Sequence, residues 1–113
     1  RADVEIDDFS EINEELIDNL AKMEPFGNGN AEPILKITKA TVLSVRRMGA
    51  DGQHVKLTLR DKNDVALQML AFNAPEEFFR EVGDEVSVWF QPTINEWQGM
   101  KSVEGRLLHI SGV

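Results

Sequence analysis

Cysteine is absent from the 113 residues, which excludes disulfides and thiolate metal sites and permits a reducing compartment such as the cytoplasm. Histidine is scarce. His54 and His109 stand far apart and neither has carboxylates at ligand spacing, so no metal site is expected. No apolar run approaches the ~18–20 residues that would span a bilayer, so a soluble chain with no membrane partner is expected. There is no charged-then-apolar leader and no start methionine, and a chain that opens Arg1-Ala-Asp3 reads as a piece of a longer protein. Catalytic patterns are missing too. No Ser/His/Asp signature or glycine elbow is visible, and Gly27-Asn-Gly29 lacks the third glycine of a phosphate loop and follows a helical pattern instead of a strand. Asp7 and Asp8 sit at a helix start, where the dipole favours acids without any chemistry. No catalytic residue, metal ligand or cofactor is assigned, and the chain itself is not expected to be an enzyme.

Positive charge is also in short supply, with 12 basic residues against 20 acidic ones and a net charge of −8. Taken whole, that opposes a nucleic-acid partner, because phosphates need local positive potential. The distribution points the other way. Residues 1–33 carry ten acids and two bases, so the rest of the chain sums to zero. Within it, residues 34–63 hold seven bases against Asp51 and Asp61, and residues 64–113 hold the compensating acids. Segregated charge is what a one-sided binding surface requires.

What is present is pattern. Asp3-Val-Glu-Ile6 alternates like a short strand. Asp8 with Glu11 has the form of a helix cap, with Ser10 as a second candidate, and Phe9, Ile12, Leu16, Leu20 and Met23 form an apolar stripe along about four turns. Pro25 ends that helix, and Pro25-Phe-Gly-Asn-Gly-Asn-Ala-Glu-Pro33 is a turn-rich linker. The period then becomes two. A long first strand has apolar weight on both faces, Leu35, Ile37, Leu43 and Val45 on one and Ala40 and Val42 on the other, as expected of a strand that bends to serve both halves of a barrel. A second places Val55, Leu57 and Leu59 inward, and a third places Val65, Leu67, Met69 and Ala71 inward after the Asp61-Lys-Asn-Asp64 turn. Pro75 opens a short helix over residues 76–82, closed by Gly83. A fourth strand turns Val86, Val88 and Phe90 inward, Asn95-Glu-Trp-Gln-Gly99 reads as a hairpin tip, and a fifth runs from about Lys101 to Ile110. The fold expected is mainly β: a five-stranded OB-fold barrel with a short helix between its third and fourth strands, preceded by an N-terminal helix.

At this point the residues resemble the OB domain of the RecJ family of single-stranded-DNA-specific exonucleases. The linker is similar to that family's Pro-Phe-Gly-x-Gly-Asn-Pro-x-Pro junction, with Ala31 in place of a proline. His54-Val-Lys-Leu57 resembles its His-Leu-Lys-Leu strand, Ala71-Phe72 its Ala-Phe, and Asn95-Glu-Trp-Gln-Gly99 its Asn-Glu-Trp-x-Gly hairpin, all in the same order. Glu104-Gly105 departs from an expected Gln-Leu, so the last strand is expected to pack less firmly or to carry a bulge. The resemblance implies residues 1–24 as the tail of a preceding domain, 25–33 as linker and 34–113 as the OB domain. It implies an accessory domain of a 5′-to-3′ exonuclease of DNA repair and recombination. Hydrolysis, with Mn²⁺ or Mg²⁺, would belong to an Asp-His-His core that this sequence lacks.

The candidate binding residues follow from alternation on that fold. His54, Lys56, Thr58 and Arg60 share one face of the second strand, the ligand face of OB-folds. Lysine and arginine there would neutralise phosphates, while His54 and nearby Phe72 could stack on bases. Arg46 and Arg47 enter the first loop but point opposite ways, so only one of them is expected to reach a ligand. Trp97 at the hairpin tip is either a stacking platform or a side chain folded back on its own hairpin, and Lys101 lies just beyond it. Trp89, outward on the fourth strand, is expected to pack against the N-terminal helix or a neighbouring domain. The plainer reading of the same face is a solvated strand. On that reading the chain is a structural or docking module that braces the catalytic domains of its own polypeptide or docks a single-strand-binding protein.

Overall fold

The computed structural model describes residues 4–13, 15–16 and 33–112. Six strands follow in chain order: β1 (Val4–Ile6), β2 (Leu35–Met48), β3 (His54–Arg60), β4 (Ala66–Ala71), β5 (Glu85–Trp97) and β6 (Met100–Gly112). The last five close into a barrel in the order β2-β3-β4-β6-β5 and back to β2. Its seam is the parallel pairing of β4 with β6, Met69 opposite Gly105 and Leu70 opposite Arg106. This is a closed five-stranded OB-type barrel.

Closure depends on β2 changing face. Leu35 and Ile37 are buried, and the next buried residues are Ala40 and Val42, so the alternation slips by one. The slip is a bulge at Thr38-Lys39, where the register with β5 shifts between Ile37 and Ala40 and Lys39 takes a φ of 63°. A second irregularity between Val42 and Ser44 shifts the register with β3. The first half of β2 thereby pairs with β5 and the second half with β3. The edge that β3 leaves free is taken by β1, in parallel register from Val4–Leu35 to Ile6–Ile37.

The barrel is filled by Ile37, Val42, Val55, Leu57, Leu59, Met69, Val86, Val88 and Phe90, all fully buried and each worth about 1.5–3 kcal/mol of transfer free energy. Aromatic plugs close both ends. Phe9 sits edge-on to Phe90 at 6.4 Å by the start of β4, and Phe78 is buried beyond its end. The expected helix over residues 76–82 is shorter, a 3₁₀ turn at Glu76–Phe78 with Phe79 as its C-cap.

The N-terminal helix also starts differently. Asp8 and Glu11 do form a capping box, but on a 3₁₀ turn, Phe9–Glu11, that stops at Ile12. Asn13 then accepts from the Leu16 N–H at 3.0 Å, and Glu15 and Leu16 are helical, so asparagine stands as the cap of the turn they begin. The apolar positions Leu20 and Met23, the Pro25 stop and all but the last residue of the linker lie outside the described residues. The Ser10 hydroxyl donates to the Asp8 carboxylate, and this, with Ser10's amide and the charge of Lys62, holds the Asp8 carboxyl below its ordinary value of 3.8.

Candidate nucleic-acid interface

The outer face of the β2-β3-β4-β6 wall is set by what lies behind it. Lys56 stands between buried Val55 and Leu57, Leu70 between Met69 and Ala71, and Arg106 between Gly105 and Leu107, so all three project outward. Arg46 is the ladder partner of Lys56, Lys56 of Leu70, and Leu70 of Arg106. One row therefore crosses four strands as Arg46, Lys56, Leu70, Arg106, about 14 Å at ordinary strand spacing. Among the described residues, none of its three cations is in an ion pair.

On one side of this row lie ring and apolar side chains. Met48 pairs with His54, the His54 and Phe72 rings meet edge-on at 5.2 Å, and Leu108 follows Arg106 by two residues. His54 Nδ1 accepts the Asn73 N–H at 3.0 Å, so a neutral ring carries its proton on Nε2. Phe72 is 63% exposed. On the other side, Thr58 stands in register with Ser44 and Gln68, offering hydroxyl and amide groups.

The remaining candidates go elsewhere. Arg47 points away from Arg46, donates to Glu76 at 3.1 Å and covers the Phe79 ring at 3.8 Å. Arg60 lies at the far end of the β3 face, bound to Asp64 at 2.9 Å. Trp97 is 74% exposed on the same outer face as Arg106 but six residues up the β5–β6 arm from it, roughly 20 Å along the strand. It does not fold back. It pairs with exposed Met100 across a two-residue turn in which Gln98 and Gly99 both have positive φ, whereas Lys101 pairs with Glu96 on the opposite face.

Trp89 stands on the outer face of β5, with the Lys36 ammonium 4.8 Å from its ring and His109 at 4.9 Å, beside a recess of about 460 Å³ also lined by Ile34 and Leu108.

Arg106 was missed by sequence reasoning. It is one strand removed in space from the expected face but far along the chain, and only the β4–β6 seam brings it there. Asp61, counted in the sequence against the basic segment, is buried and turned to the backbone.

Comparison with known proteins gives a consistent result. The family described as the RecJ OB domain matches residues 2–109. The single-stranded-DNA-specific exonuclease RecJ of Bacillus subtilis is 33% identical over 92 residues, which is 80% of this chain and 12% of that protein. Two crystal structures of RecJ from Thermus thermophilus, one in complex with Mn²⁺ and one with Mg²⁺, superpose with TM-scores of 0.61 and 0.60 at 25% identity. They cover 88% and 85% of this chain, and in each case it spans 14% of the longer one.

Proposed function

This chain belongs to the RecJ OB domain family, and from that premise we propose that it is the single-stranded-DNA-binding accessory domain of a longer exonuclease. One observation carries the reading: Arg46, Lys56 and Arg106 form an in-register row of cations with no carboxylate partner among the described residues, bordered by the exposed ring of Phe72 and by His54. Phosphates bind along such a row, and bases stack on such rings. Residues 1–24 act as the tail of a preceding domain, seated on the barrel by β1 and Phe9, and residues 25–33 as its junction. Hydrolysis from the 5′ end, in cytoplasmic DNA repair and recombination, belongs to the rest of the polypeptide. Mn²⁺ or Mg²⁺ would be held there, the ions with which the two similar RecJ structures were solved. No described helix is long and apolar enough to cross a membrane.

The test is fluorescence anisotropy of a labelled single-stranded oligonucleotide against salt. Above about 0.1 M salt the log–log slope should be about −2, three phosphates at ~0.7 each. Lys56→Ala/Arg106→Ala should reduce it to about −0.7, while Arg47→Ala leaves it unchanged. Absence of binding at low salt would overturn the reading. It would favour a second one, in which the domain braces the catalytic domains or docks a single-strand-binding protein. The exposed Trp97–Met100 pair, 74% and 75% accessible at the arm tip, supports that alternative.

A further inference from the structure

The binding face is asymmetric, with small polar groups on one side of the cationic row and a recess on the other. The recess, about 250 Å³, is bounded by Phe72, Pro75, Phe78, Leu108 and the Arg106 side chain, where β4 ends and the 3₁₀ turn begins. Its lining side chains are apolar except for Arg106, while polar atoms make up about half of its exposed wall. Phe72 does not serve the core, since it is 63% exposed, and its T-shaped contact with His54 leaves at least one ring face without a stacked ring. Exposed aromatic surface beside an arginine of the cationic row suits a flat ring attached to a phosphate.

We infer that this recess takes a single unstacked base of the bound strand, laid against Phe72, while the phosphate next to it sits on Arg106. The inference rests on the reading of the outer face as a DNA-binding surface and adds an orientation to it. The strand crosses β2, β3, β4 and β6 along the row, and its bases point toward the His54–Phe72 end of the barrel, not toward the β5–β6 arm. Because Arg106 is the one polar side chain among the described residues of the lining, the recess accepts a base by shape and stacking with little choice of identity.

The test uses the 113-residue chain and an oligothymidylate of about ten nucleotides carrying 2-aminopurine at one position at a time. One position should give a far larger fluorescence change than the others. Phe72→Ala should abolish that response and weaken binding roughly tenfold, with the salt slope kept because no charge is lost. An abasic unit at the same position should weaken binding to wild type by a similar factor and should hardly add to the effect of Phe72→Ala. If the strand binds with the expected slope but the response is uniform along it, or the two penalties multiply, the recess holds no base and the face survives without it. If no strand binds, the face and the recess both fail. Phe72 is exposed, so the variant is expected to keep its fold, which a matching urea transition checks.

Discussion

Asp61 shows how a charge read from sequence can be spent inside the fold. Its Oδ1 accepts the N–H groups of Asn63 and Val65 at 2.8 and 2.9 Å, and Oδ2 accepts that of Phe9 at 2.8 Å. One carboxylate thus shapes the β3–β4 turn and ties the N-terminal segment across the end of the barrel. Asp61→Ala leaves these donors without an acceptor and should cost about 3 kcal/mol of stability in urea unfolding. Asp61→Asn can keep the two turn bonds but meets the Phe9 N–H with its own amide donor, and should cost about half as much. Neither change should alter the salt slope of oligonucleotide binding, since the carboxylate does not face the cationic row. Counting Asp61 against neighbouring bases was reasonable from composition, because nothing local in Asp61-Lys-Asn-Asp64 announces a bond to Phe9, 52 positions away. The same limit hid the fates of Arg47 and Arg60. Strand alternation told which way they point, but Glu76 and Asp64 as partners depend on where the loops fold.

At the scale of elements, short-range periodicity was informative wherever a strand was regular. The β3 span, His54–Arg60, and its inward Val55, Leu57 and Leu59 agree with alternation alone, because one face is wholly buried. It was less informative where the chain bends. In β2 the apolar weight on both faces signalled a shared strand, yet the slip at Lys39 has no glycine or proline to mark it. The departure at Glu104-Gly105 leads to the expectation that the last strand packs less firmly or carries a bulge. β6 does carry one, but at Leu108, which is unmatched between the pairs Trp89–His109 and Phe90–Leu107, and the strand is continuous at Glu104-Gly105. Gly105 is where the barrel seals: a Cβ at this position would lie 2.2 Å from Met69 Sδ and 3.0 Å from the Phe90 ring. Methionine from β4 fills the space that a leucine on β6 would need. Gly105→Ala should therefore cost about 1–3 kcal/mol by overpacking. Paired with Met69→Ala, which opens a cavity, the two changes should cost less together than their separate sum. Full additivity in a denaturation cycle would mean that β6 yields at this point and that Met69 does not set the closure.

At the scale of the molecule, two electrostatic effects oppose one another. The whole carries −8, equal to the net charge of residues 1–33 alone, while the proposed contact surface is a local row of three cations. Which one an approaching DNA strand senses depends on screening. At 0.01 M salt the Debye length is ~30 Å, comparable with the 36 × 34 × 32 Å extents of the molecule, so the net negative charge repels the strand before the row can attract it. At 0.15 M it is ~8 Å, and only charges near the path of approach count. Contact energy is different, because counterions released from each neutralised phosphate weaken the bound state as salt rises at any concentration. Association and dissociation should therefore respond separately. In stopped-flow measurements the association rate constant should rise a few-fold between about 0.01 and 0.15 M salt, while dissociation accelerates throughout. The equilibrium plot should then be shallow at low salt and reach its full slope only above about 0.1 M. An association rate that falls steadily from 0.01 M would mean that the row steers encounter despite the net charge. The expected behaviour suits an accessory domain that does not collect nucleic acid from a distance and holds a strand once it lies along the row.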